Sequence, residues 1–116
     1  MKKRELLEAA KPHYPENQVL ELDHAIDIAT KAHAGQKRRS GEPYISHPLA
    51  VAKLLIDWEL DMDSVIAGVL HDTVEYTDLT LEDIETLFGH DVAFLVDGVT
   101  KVGQARSGMR DLESYL

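Results

Sequence analysis

Val65-Ile66-Ala67-Gly68-Val69-Leu70-His71-Asp72-Thr73-Val74-Glu75-Tyr76 is the stretch on which the fold class turns. Its first six residues are apolar and partly β-branched, so they suit either a buried strand or a buried helix. The Ala67-Gly68 pair decides for the helix, since small residues let neighbouring helices approach closely. A cap at Asp61 or Asp63 and a run to about Thr77 give this helix a length no ordinary strand would need. It delivers His71 and Asp72 side by side. A neutral imidazole and a carboxylate can share one divalent cation, although the dipeptide alone fits a surface pair equally well.

The flanking sequence repeats the helical pattern. Residues 3 to 10 form a short first helix, stopped near Pro12, which has no amide hydrogen and clashes with the preceding turn. From Leu20 to His33, Leu22, Ala25, Ile26, Ala29 and Ala32 follow one helix face, and Gly35 suits the stop. Residues 35 to 46 hold two glycines, a proline, two serines and Lys37-Arg38-Arg39, so they read as a loop. Pro48 suits the first turn of a third helix whose buried side would be Leu49, Val51, Ala52, Leu54, Leu55 and Trp58.

Past the central stretch, Thr80-Leu81-Glu82-Asp83 has the form of a capping box with Asp in place of the usual Glu or Gln, opening a helix to Phe88 that Gly89 ends. Asp91 to Val99 offers another apolar helix through Val92, Phe94, Leu95, Val96 and Val99. Residues 101 to 111 read as a polar, glycine-containing loop, and Asp111 to Leu116 as the start of a further helix. The expectation is an all-α domain of five or six helices.

One domain accounts for 116 residues, of which 44% are hydrophobic and 28% charged, as in ordinary globular chains. Twelve Lys and Arg against 21 Asp and Glu give a net charge of −9, whose field would repel a polyanion and argues against nucleic acid as a partner. There is no stretch resembling a membrane span or a secretory signal, and no cysteine for a disulfide or a thiolate metal site. A cytoplasmic setting is the expectation. Against the acidic background, Lys37-Arg38-Arg39 is the one dense cationic cluster beyond the N-terminus; by itself it fits a solvated loop.

On one continuous helix, His71 and Glu75 would share a face, as would Asp72 and Tyr76. Glu75 would then stand one turn above the ligand pair, placed to orient or deprotonate a water. His47 is the natural third ligand, because it begins the helix after the cationic loop, though a lone histidine before proline is commonly a surface group. His33 is expected as a packing group or one supporting the ligands; His13, His24 and His90 are expected at the surface.

The segment from Ala32 to Leu49, AHAGQKRRSGEPYISHPL, resembles the signature of the HD hydrolase domain of the RelA/SpoT family. The likeness continues at Leu70-His71-Asp72-Thr73-Val74-Glu75, and from Phe88-Gly89 to Val96-Asp97-Gly98-Val99-Thr100-Lys101. It implies an HD-type helical bundle that uses Mn2+ to hydrolyse the 3′-pyrophosphate of (p)ppGpp, giving GDP or GTP and pyrophosphate. His47, His71 and Asp72 would be the metal ligands, Glu75 the catalytic group, and Arg38 the residue lying on the guanine, with Arg39 and Ser40 contributing to nucleotide binding. A guanidinium can stack on a base and fork onto phosphate, which suits the assignment.

Two departures from that family pattern bear on activity. Its active hydrolases have an acidic pair where this chain has Glu75-Tyr76, and a phenol is a poor base at neutral pH. Their fourth metal ligand is an aspartate of a later helix, which residues 1–116 do not include. The resemblance therefore implies an HD hydrolase domain truncated before its fourth ligand and its C-terminal helices, with weak or absent turnover. A synthetase domain could adjoin it in a full-length protein. The competing expectations are a non-catalytic HD module that binds guanine nucleotide or regulates such a neighbour, and a plain helical interaction domain.

Overall fold

A computed structural model of the chain describes the backbone of residues 1–115 and the side chains of residues 1–102. Seven helices occupy the described residues: α1 (Lys3–Ala10), α2 (Glu16–Ala32), α3 (Ser46–Asp57), α4 (Met62–Leu70), α5 (Thr73–Tyr76), α6 (Leu81–Phe88) and α7 (His90–Tyr115). The all-α expectation holds.

The centre of the bundle is α4, which packs on α2, α3 and α7. Encirclement explains its composition: Met62 and every residue from Val65 to Leu70 are buried, so no polar stripe is needed. Gly68 is the point of closest approach to α3. A Cβ there would lie 2.6 Å from Leu55 Cδ1 and 3.8 Å from the Ala52 backbone. The rest of the core comes from one face of each neighbour, including Leu6 of α1, Leu22 and Ile26 of α2, Ile56 of α3, Ile84 of α6, and Val92 and Val96 of α7.

Local signals act much as the sequence suggests. Asp61 caps α4, accepting from the Ser64 backbone at 3.2 Å and the Ser64 hydroxyl at 2.7 Å. Thr80 and Asp83 form the reciprocal capping box of α6. Gly35 and Gly89 adopt positive φ where α2 and α6 end. Helix α2 starts at Glu16, a turn earlier than its apolar stripe indicates, because the single Pro15 carbonyl accepts from both Gln18 N–H and Val19 N–H.

Four expectations need correction. The long central helix breaks at His71-Asp72, leaving α5 as a separate turn. Side chains take over the carbonyls that would have carried the helix on: the His71 ring lies 2.6 Å from the Gly68 oxygen and the Thr73 hydroxyl donates to Leu70 at 2.8 Å. On α3 the buried stripe is Leu49, Ala52 and Ile56, whereas Leu54 and Trp58 are exposed. That helix has apolar residues on more than one side, so spacing alone does not pick the inner face. On α7, Phe94 and Val99 face solvent while Val92, Ala93 and Val96 go inward. The loop expected at 101–111 is helical, part of α7, as is the segment from Asp111 to Tyr115, while Leu116 lies outside the described residues. Two glycines cost a helix about 1 kcal/mol each, but no proline interrupts, and Gln, Ala, Arg and Met favour continuation.

Candidate metal centre

Three elements converge at the broken corner of α4. His47 is the second residue of α3, His71 follows the last residue of α4, and Asp72 precedes α5. One ligating atom from each can be chosen so that all lie within 4.8 Å of one another. Oδ2 of Asp72 is the hub, 3.1 Å from His71 Nε2 and 3.7 Å from His47 Nε2. The break itself makes this possible, since Asp72 leaves regular helix geometry at φ −96°, ψ −6°.

The donor set fits a divalent cation. The Nδ1–H of His71 points at the Gly68 carbonyl, which leaves Nε2 as the nitrogen that faces Asp72. Both nitrogens thus meet an acceptor oxygen, an arrangement that a proton or a metal ion on Nε2 satisfies. Burial lowers the pKa of His71, but its bonds to Asp72 and Gly68 outweigh that and hold it above the usual value. Burial lowers the pKa of His47, and the neighbouring Arg38 charge adds to this, favouring a neutral imidazole. For Asp72, burial acts upward but is overcome by the bonds from His71 and Tyr44, so the carboxylate is the favoured form.

Beside this cluster lies the cationic loop, folded as a tight hairpin. Arg38 N–H donates to the Glu42 carbonyl, Gly41 N–H donates back to Arg38, and Lys37 and Pro43 form an antiparallel bridge. Gly41 has φ +89°, which a side chain would strain. Arg38, Arg39 and Ser40 are all exposed and line a groove of about 680 Å³ with Lys37, Glu42 and Tyr44. Tyr44 is the wall shared with the ligands, because its hydroxyl donates to Asp72 Oδ2 at 2.7 Å. On the other side, His71 borders an apolar groove with Leu55, Leu60, Leu95 and Val99.

Glu75 is not gathered into the cluster. It sits exposed on α5, and its charge is the main cause that holds the Tyr76 hydroxyl above the usual phenol range. The continuous helix expected to set Glu75 above His71 is interrupted between Leu70 and Thr73, and Glu75 lies outside the group of His47, His71 and Asp72. His33 is buried, as a packing group should be, with its ring 4.7 Å from that of Tyr44. His13, His24 and His90 are exposed.

Sequence reasoning missed Tyr44 and Gln36. Gln36 donates from Nε2 to the Tyr76 carbonyl at 2.8 Å and accepts from His33 Nδ1 at 2.9 Å. Neither residue carries a periodic or spacing signal, and the one hint was their place in the loop between α2 and His47.

The profile of a family described as the HD domain matches residues 25–114. The chain is 45% identical over 109 residues to a guanosine-3′,5′-bis(diphosphate) 3′-pyrophosphohydrolase of Aquifex aeolicus, covering 94% of this chain and 16% of that protein. It is 47% identical over 94 residues to the bifunctional (p)ppGpp synthase/hydrolase SpoT of Escherichia coli, covering 81% of this chain and 13% of that one. It thus spans less than a fifth of these relatives. A solved structure, described as a metazoan ortholog of SpoT that hydrolyses ppGpp and plays a role in starvation responses, superposes with a TM-score of 0.66 at 34% identity, over 74% of this chain and 49% of that one. With its helices in that arrangement and its His-Asp pair at the corner, the chain belongs to the HD domain family and, within it, to the RelA/SpoT group.

Proposed function

We propose that this chain is the metal- and nucleotide-binding part of a hydrolase that removes the 3′-pyrophosphate of (p)ppGpp, releasing GDP or GTP and pyrophosphate. The observation that carries the reading is the approach of His47, His71 and Asp72 to one point beside the Arg38 groove. In this reading these three hold Mn2+, as hard and borderline donors suit that ion. When bound, the ion supplies Lewis acidity toward the scissile phosphate. Arg38 lies against the guanine, with Arg39 and Ser40 on the remaining nucleotide. Glu75 is assigned the proton-accepting role, which from its exposed place on α5 requires the bound nucleotide or a water to bridge the gap.

In the same reading, residues 1–116 form one HD domain whose fourth ligand, an aspartate, comes from outside this stretch. The name of the Escherichia coli relative supports a neighbouring synthetase domain in the full-length protein. The same reading takes the enzyme to be cytoplasmic; no helix among the described residues is long and apolar enough to cross a membrane.

A second reading, a nucleotide-binding module without turnover, is favoured by Tyr76 in place of an acid and by the outward position of Glu75. Titration with Mn2+ and an assay of pyrophosphate release from ppGpp tests both. Metal binding with slow release supports the hydrolase; metal and ppGpp binding with no release, also when the polypeptide is extended by the aspartate-bearing helix, supports the module. Absence of any Mn2+ binding rejects both.

A further inference from the structure

The cationic loop is fastened to the metal corner by two side chains that are neither ligands nor cations. Across 28 positions of sequence, the Tyr44 hydroxyl donates to Asp72 Oδ2 at 2.7 Å. This is the same oxygen that faces both imidazoles. A carboxylate oxygen accepts in two directions, so the phenol can occupy one while a cation occupies the other.

Tyr44 is held in turn by Gln36. The Tyr44 N–H donates to the Gln36 carbonyl at 2.9 Å. Across 40 positions, the Gln36 amide donates to the Tyr76 carbonyl at 2.8 Å, at the end of the turn that follows Asp72. That bond fixes which end of the amide is nitrogen, so its oxygen faces His33 and accepts from Nδ1 at 2.9 Å. The buried His33 ring, tilted 34° to Tyr44, closes the other side of the phenol. Each partner limits a different degree of freedom: the Gln36 main-chain carbonyl holds the Tyr44 backbone, the Gln36 side-chain amide ties that part of the loop to the end of α5 and to His33, and the Tyr44 hydroxyl sets the carboxylate.

We propose that Tyr44 is a positioning residue that aims Asp72 at the cation, and that Gln36 holds Tyr44 in place, so that the loop and the metal corner are set as one unit. The inference rests on the reading of His47, His71 and Asp72 as metal ligands. Hydrogen bonds to a ligand from outside the coordination sphere commonly govern about 10- to 100-fold in metal affinity. No ordinary packing role for Tyr44 predicts a loss of that kind from removing one oxygen atom.

The test compares the parent chain with Tyr44→Phe, Gln36→Ala and the double variant. Free Mn2+ is measured by electron paramagnetic resonance during titration, and the melting temperature of each protein is measured without metal. Tyr44→Phe is expected to lose about 10- to 100-fold in Mn2+ affinity with a melting temperature near that of the parent. The visible bands of bound Co2+ are expected to shift in the same variant, since the carboxylate changes direction. Gln36→Ala keeps the main-chain bond to Tyr44 N–H but removes the side-chain ties to Tyr76 and His33 that seat the loop on the corner, so it is expected to lose affinity in the same sense. The double variant is expected to lose no more than Tyr44→Phe alone, because the seating acts through the Tyr44–Asp72 bond. Parent-like Mn2+ affinity and Co2+ bands in Tyr44→Phe overturn the proposal, as does a double variant whose loss is the product of the single ones. A parent chain that binds no Mn2+ overturns the ligand reading beneath it, and is told apart because the variants then have nothing to lose.

Discussion

The His71 ring and the Gly68 carbonyl lie 2.6 Å apart, and this bond both contributes, with that of Thr73 to Leu70, to ending α4 and selects the nitrogen that His71 turns toward Asp72. A helix terminus and a ligand orientation are thereby the same structural event. Replacement of His71 by Ala removes a ligand and leaves a partly buried carbonyl without its partner. Mn2+ binding is expected to fall by more than about 100-fold, together with roughly 1–3 kcal/mol of stability for the unpaired group. Titration calorimetry and urea unfolding measure the two losses; unaltered Mn2+ affinity would remove His71 from the site.

Gly68 also sets how closely α3 and α4 meet. The far end of Leu55 is the nearest obstacle to a Cβ, so Gly68→Ala asks only for a rotamer change, offset by the better helix propensity of alanine. Gly68→Val must also push against Val51 and the Ala52 backbone, and is expected to cost about 1–3 kcal/mol by overpacking. Urea midpoints for the pair check this. Equal stability of the two variants would show that the helices separate freely.

The cap of α4 carries a pH signature. The Ser64 hydroxyl, and secondarily the Ser64 backbone N–H, hold the Asp61 carboxyl below the usual carboxylate range. A depressed folded-state pKa contributes stability that is present above the unfolded value near 3.8 and is lost as pH falls through the folded value. Asp61→Ala is expected to lower stability by about 1 kcal/mol at neutral pH, as capping substitutions do. That gap is expected to shrink on acidification below pH 3.8. Thermal melts of both proteins over that range measure it, and a gap that widens with acid contradicts the assignment.

Arg38 is exposed at the base of the hairpin turn, and its charge reaches both His47 and Tyr44. Arg38→Ala is expected to weaken ppGpp binding about tenfold or more, as loss of a charge-assisted contact of 1.5–3 kcal/mol implies, while melting temperature stays near the parent value. Arg38→Lys is expected to recover only part of the loss, since an ammonium neither stacks nor forks. Fluorescence titration with a labelled guanine nucleotide checks both, and full binding by Arg38→Ala would take this residue off the nucleotide.

Much of the molecule is determined by local sequence. Capping at Thr80 and Asp61, the stops at Gly35 and Gly89, and the apolar stripe of α2 each depend on residues within a turn or two, so they can be read along the chain. The pairing of His71 with Asp72 and the nearness of His47 to a cationic loop are legible in the same way. Tertiary packing decided the rest. Which side of α3 is inward follows from where α4 lies, and this left Leu54 and Trp58 exposed despite their apolar character. The break after Leu70 interrupts the continuous helix expected to carry both His71 and Glu75, because side-chain bonds to two carbonyls replace the helical ladder there. Tyr44 meets Asp72 across 28 residues and Gln36 meets Tyr76 across 40. Contacts of that span have no periodicity to betray them; they exist because the bundle brings the end of α2, the start of α3 and the corner after α4 to one place.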